Sequence, residues 1–98
     1  MAFKDEYSFE LLKNEAENLV INEIEEQFKS ETNEMCRCND CVVDIAAMAL
    51  NSIKPLYRFS LLGTLHASQL MAEQPYKEAV KISVTKAIRK VRKNPSHD

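Results

Sequence analysis

The chain has 98 residues, a formal net charge of -2 and a hydrophobic fraction of 45%. This length fits one domain, and the mild charge does not by itself indicate a nucleic-acid or membrane partner. One glycine and three prolines are few for the turns of a sheet of short strands, so the composition favours an all-α fold. We therefore expect a single helical domain over residues 1–98, with frayed ends at 1–7 and 95–98.

The sequence also indicates the compartment of the protein. The longest apolar run, residues 42–50, is too short to cross a bilayer. The first ten residues, MAFKDEYSFE, lack the apolar region of a signal peptide. We expect a cytoplasmic protein without a membrane partner, and there three closely spaced cysteines favour metal or redox chemistry over a disulfide framework.

Hydrophobic periodicity predicts about four helices packed as a compact bundle. The first is predicted over residues 8–29, with Ser8 as its N-cap and an acidic outer face. Its apolar stripe consists of Phe9, Leu12, Ala16, Val20, Ile24 and Phe28. The second is capped by Asn39 or Asp40, ends near Ser52 and is apolar nearly all round, which is typical of a buried central helix.

Two further helices are predicted after a turn over residues 53–59. The third covers residues 60–73, and the fourth opens at Pro75 and stops before Asn94. The apolar stripe of the fourth helix comprises Tyr76, Val80, Val84, Ala87, Ile88 and Val91. Its outer face carries seven basic residues: Lys77, Lys81, Lys86, Arg89, Lys90, Arg92 and Lys93. This face is either solvated surface or a surface for a charged partner.

A cluster of thiols precedes the most apolar helix. Cys36, Cys38 and Cys41 lie within six residues. Zinc prefers a tetrahedral set of soft ligands, and paired cysteines two residues apart, such as Cys38 and Cys41, are common in zinc sites. The sequence therefore predicts a structural zinc site, here called the cysteine knuckle (residues 36–41), that fixes the entry to the second helix.

A closed zinc site needs a fourth ligand, and several groups could supply it. The candidates are His66, His97, Asp40, Asp44, a residue of a second chain or water. His66 could reach the knuckle if the second and third helices are antiparallel, but it could equally be a surface histidine. The cysteines could also be thiols without a metal, or a redox sensor in which a disulfide forms and the metal leaves.

The motifs in the middle of the chain resemble those of the late competence development protein ComFB family. The resemblance covers roughly residues 15–95. It is carried by Cys36-x-Cys38-x2-Cys41, the Asp44 that follows, the stretch 46–51, and Pro55-x-Tyr57. The family pattern often has two adjacent prolines before the tyrosine and a valine after it. This chain has Lys54 and Arg58 at those positions.

The resemblance implies a small all-α homodimer that binds zinc through the cysteines. It further implies a bacterial signalling role as a receptor for cyclic dinucleotides, chiefly cyclic di-GMP, in motility, pili or competence. Such a ligand needs cations for its phosphates and a flat group for its bases. The candidate residues are Tyr57, Arg58 and Arg89, with Arg37, Lys86 and Lys90 as further cations.

Other classes of function compete with this one. A zinc-stabilised interaction module or DNA-associated regulator would use the basic face of the fourth helix, although the acidic first helix counts against nucleic acid. An enzyme is the least supported class. The sequence contains no nucleophile motif, no phosphate-binding glycine loop and no HExxH pattern.

Overall fold

A computed structural model describes residues 2–31, 34–60, 65, 69–70 and 72–95. The described residues form three α-helices: α1 (Ala16–Ser30), α2 (Asn39–Leu50) and α3 (Gln74–Lys93). Two short 3-10 helices precede them, at Phe3–Glu6 and Phe9–Leu11. An antiparallel ribbon joins β1 (Lys13–Asn14) to β2 (Tyr57–Arg58). The helical bundle predicted from the sequence is confirmed, while the ribbon is an addition that the all-α prediction lacked.

The packed helices run in alternating directions. Gln27 Nε2 donates to the backbone oxygen of Lys81 at 3.2 Å, and Arg92 lies 3.4 Å from Glu31. The later residue of α1 contacts the later residue of α3, so these two helices are parallel. Arg37, just before α2, donates to the backbone oxygen of Phe28, near the end of α1. α2 is therefore antiparallel to α1 and α3. The knuckle lies at the end of the bundle where α1 and α3 finish, and the ribbon lies at the opposite end.

One face of each helix supplies the core. The predicted stripe of the fourth helix, now α3, is confirmed because all six of its residues are buried. Pro75 occupies the first turn of α3, and the helix ends at Lys93, before Asn94, as predicted. Ile45, Val20 and Val84 are among the largest fully buried side chains. Burial of each such side chain stabilises the fold by about 1.5–3 kcal/mol.

The predicted start of the first helix was wrong by eight residues. α1 begins at Ala16, and Ser8 makes no capping hydrogen bond with its side chain. Phe9 and Leu12, assigned to the buried stripe, are 52% and 48% exposed. The apolar period of the sequence continues through Phe9 and Leu12, but the helix does not. Asn14 pairs with Tyr57 in the ribbon, so the helix begins only after it.

The end of the second helix was predicted to within two residues, but its burial was overestimated. α2 ends at Leu50, two residues before the predicted Ser52, and its N-cap is Cys38 rather than Asn39 or Asp40. Its buried face consists of Cys41, Ile45 and Ala49, which are fully buried. Val43, in contrast, is 57% exposed. Among the described residues, α2 is thus enclosed on one face rather than all round.

The predicted third helix, residues 60–73, falls largely outside the described residues, and so does His66. That helix stays a prediction, as does the count of four helices. Within the described part of the chain, no helix combines the length and the apolar character that crossing a bilayer requires.

Candidate metal centre

The cysteine knuckle folds so that its three thiols converge. The backbone at Cys38 is extended, with φ -72° and ψ 166°, and the chain turns into α2 at the next residue. This change of direction brings the sulfur of Cys41, in the first helical turn, towards those of Cys36 and Cys38. The three Sγ atoms all lie within 4.8 Å of one another.

These sulfurs fit the donor set of a zinc ion. A zinc–sulfur bond of about 2.3 Å in a tetrahedron places two sulfurs about 3.8 Å apart. The observed separations, at most 4.8 Å, need only a small inward rotation of the side chains. The cluster can therefore hold a metal through Cys36, Cys38 and Cys41, as the sequence predicted.

The three cysteines differ in burial. Cys41 is fully buried in the core, Cys36 is intermediate and Cys38 is exposed. The candidate site thus extends from the core to the surface, and an ion bound there would join the extended segment to the buried face of α2. Thiolates at this position also lie near the positive end of the α2 dipole, which stabilises negative charge.

Several of the predicted candidates for the fourth metal ligand lie outside the described residues of this chain. Within this part of the chain, the group of close metal-ligating side chains contains the three cysteines but neither Asp40 nor Asp44. His66 and His97 lie outside the described residues. A histidine, a second chain or water therefore remains a candidate for the fourth position.

Arg37 connects the knuckle to α1. Its guanidinium carbon lies 4.3 Å from the centroid of the Phe28 ring, and its Nη2 donates to the Phe28 backbone oxygen at 3.1 Å. The sequence indicated Arg37 only as a spare cation for a ligand. Its structural partner, Phe28, lies nine residues earlier on another element, so a local sequence pattern does not predict this contact.

The structure separates the residues predicted to bind a ligand. Tyr57 is 56% exposed on β2, and the adjacent Arg58 donates from Nε to the Glu15 carboxylate. Arg89 lies on the exposed face of α3, one turn before the Arg92 that pairs with Glu31. Since Glu15 and Glu31 mark the two ends of α1, Arg89 lies about 20 Å from the ribbon along the helix axis.

The fold and the site together define the class of protein. It is a compact α-helical domain with a candidate structural metal site, where three thiols converge at the start of a core helix. The chain matches the model of the family "Late competence development protein ComFB" over residues 13–95, and it belongs to that family. The resemblance seen in the sequence motifs is therefore confirmed.

Solved structures support the same fold. The chain is similar to the late competence protein ComFB from Bacillus subtilis, with a TM-score of 0.60 and 22% sequence identity. The match covers 87% of this chain and 94% of that one. A comparison with curated proteins finds no match. At this level of identity, the structural likeness shows the fold alone.

Proposed function

We propose that the protein is a cytoplasmic, non-catalytic regulator of the late competence type, held together by a structural zinc ion. The observation that carries this proposal is the convergence of three sulfurs within 4.8 Å at the start of α2. Because Cys41 is part of the core, binding an ion there would couple metal affinity to folding. When bound, the ion supplies a cross-link between the extended segment and the buried helix.

The sequence, rather than the geometry of the centre, argues against catalysis. A catalytic zinc normally combines an open coordination position with a nearby general base. The sequence has no recognised catalytic motif, and Cys41 belongs to the hydrophobic core. We therefore assign the metal a structural role.

We further propose that the regulatory ligand is a cyclic dinucleotide, chiefly cyclic di-GMP. The support is the family membership together with the chemistry of the ribbon. The exposed ring of Tyr57 offers a stacking surface, and the Arg58 guanidinium can contact a phosphate. Glu15, which pairs with Arg58, is a carboxylate that can accept hydrogen bonds from a guanine edge.

A homodimer would complete this site. One copy keeps Arg89 about 20 Å from the ribbon along α1, which is too far for one compact ligand to bridge through side chains of that copy. We propose that Arg89 of the partner subunit contributes the second cation. In a dimer of this kind, the ligand would bind between the two subunits.

Calorimetry on the zinc-loaded protein with cyclic di-GMP and cyclic di-AMP tests the receptor proposal. Replacing Tyr57 by alanine should weaken binding about 5- to 150-fold, since stacking on a base is worth about 1–3 kcal/mol. Tyr7→Ala is the matched control because Tyr7 and Tyr57 are each 56% exposed. Absence of heat with both dinucleotides would remove the receptor function and leave the metal proposal intact.

A DNA-associated regulator is the second candidate, favoured by the exposed basic residues of α3. Lys86, Arg89 and Lys90 are all exposed there. Duplex binding through this face should weaken steeply with added salt, and the double variant Lys86→Glu/Arg89→Glu should abolish it. Salt-insensitive binding, or none, would eliminate this alternative.

A further inference from the structure

An apolar groove lies beside the cysteine knuckle, between α1 and α2, with a volume of about 640 Å³. Small-molecule sites typically have volumes of about 300–1,000 Å³ and mostly apolar walls. The apolar side chains that line this groove are Ile21, Ile24, Phe28, Val42, Val43 and Ala46. The groove is separate from both the ribbon and the basic face of α3.

The walls of the groove expose more apolar surface than the fold requires. Ile21 on α1 is 55% exposed, and Val43 on α2 is 57% exposed. Both residues line the groove, one on each helix. Large β-branched side chains are therefore exposed to water on both walls. Exposed apolar surface of this kind indicates a groove that binds an apolar ligand.

The charges of the groove are arranged asymmetrically. Glu25 and Lys29 also line it, and Lys29 pairs with Glu26 at 3.1 Å. The second cation of the lining is Arg37. Arg37 lies against Phe28, near the end of α1, whereas the apolar wall continues from Phe28 back to Ile21.

This arrangement has a cation at one end and an apolar wall along its length. The seven helical steps from Ile21 to Phe28 advance about 10 Å along a helix axis. An extended hydrocarbon chain advances about 1.25 Å per carbon, given single bonds of about 1.5 Å. The wall therefore matches a chain of roughly eight carbons.

We propose that this groove binds a medium-chain aliphatic carboxylate, with the chain along α1 and the carboxylate held by Arg37. The contacts with Phe28 hold the guanidinium at the end of the groove, so little side-chain freedom is lost on binding. A guanidinium has five N–H donors and recognises carboxylates through paired hydrogen bonds. This proposal is independent of dinucleotide binding.

The metal centre supports the head of this site. Arg37 lies between Cys36 and Cys38, so an ion held by both cysteines would fix the backbone on each side of the arginine. Metal removal should therefore weaken carboxylate binding, although no cysteine lines the groove.

Calorimetry with the zinc-loaded protein and octanoate or decanoate tests this proposal, with decanol as a neutral ligand of equal length. We expect one carboxylate per chain and at least tenfold weaker binding of the alcohol. Arg37→Gln should reduce carboxylate affinity about tenfold and leave decanol affinity nearly unchanged. This selective loss is one that general damage to the fold would not produce.

Val43→Glu places a charge on the groove wall and should abolish binding of both ligands. Ile82→Glu is the matched control, because Ile82 is 49% exposed on α3 and does not line the groove. Four results would overturn the proposal: no carboxylate binding, equal binding of acid and alcohol, undiminished binding by the Val43 variant, or loss of binding in the Ile82 control. A change from dimer to monomer in Val43→Glu without added carboxylate would assign the groove to a second copy and also overturn it.

Discussion

The side-chain oxygen of Asn14 accepts a hydrogen bond at 2.7 Å from the backbone N–H of Leu56, a residue 42 positions later in the chain. The same oxygen accepts the N–H of Ala16 at 3.2 Å, at the start of α1. The backbone N–H of Glu15 in turn donates to the Leu56 oxygen at 2.9 Å. The amide side chain of Asn14 thus joins the start of α1 to the segment that follows α2.

Replacement of Asn14 by alanine should lower the free energy of unfolding by about 2 kcal/mol. The variant leaves two backbone donors without their acceptor, and each lost hydrogen bond costs about 1 kcal/mol. Urea unfolding measures the change. Asn18→Ala, at an exposed position on α1, is the matched control and should shift stability by less than about 0.5 kcal/mol. Equal effects at the two positions would show that the Asn14 bridge contributes nothing specific.

Asn14 also shows what the sequence could not reveal. The period that places Ala16, Val20 and Ile24 on one buried face is local, and it was read correctly. That period carries no information on where the helix begins, because the start depends on a contact with Leu56 that is remote in sequence. Composition gave no warning of the two-residue strands either, since so short a ribbon needs few turn residues.

The candidate metal centre was more accessible to prediction. Cys36, Cys38 and Cys41 are close in sequence, so any turn into a helix brings their sulfurs together. The stacking of Arg37 on Phe28 was not accessible, and neither was the groove, because both depend on how α2 packs against α1. The apolar excess at Val43 was visible in the sequence, but it was read as a sign of enclosure.

A contact between α1 and α3 offers a second test of the fold. Gln27 Nε2 donates to the Lys81 oxygen at 3.2 Å, and Thr85 Oγ1 donates to Gln27 Oε1 at 3.1 Å. A double-mutant cycle with Gln27→Ala and Thr85→Ala should give a coupling energy of about 1 kcal/mol. Thr85→Ser retains the hydroxyl and should retain most of that coupling. Additive effects of the two alanine variants would contradict a direct interaction.

Loss of one metal ligand should destabilise the whole domain. Cys38 is the suitable position because it is exposed, so serine there adds no buried hydroxyl. We expect Cys38→Ser to lose bound zinc, measured by elemental analysis under reducing conditions, and to unfold more easily by about 4 kcal/mol or more. A chelator should reproduce this loss in the parent protein and have little further effect on the variant. An unchanged unfolding midpoint in Cys38→Ser would show that the fold does not depend on a metal.

The buried phenol of Tyr76 predicts a loss of stability at alkaline pH. Tyr76 Oη donates to the Lys54 oxygen at 2.8 Å, and burial raises the pKa of this phenol above its usual value of 10.0. Since the folded-state pKa is the higher one, the contribution of Tyr76 to stability is complete below pH 10 and is lost as the pH rises through the folded-state pKa.

Tyr76→Phe should cost about 1 kcal/mol at pH 7 through the lost hydrogen bond. Above pH 10 this cost should shrink, because phenylalanine does not ionise while the exposed Tyr7 and Tyr57 are common to both proteins. Urea unfolding of the two proteins between pH 7 and 11 measures the difference, and a constant gap would show that Tyr76 ionises equally in the folded and unfolded states.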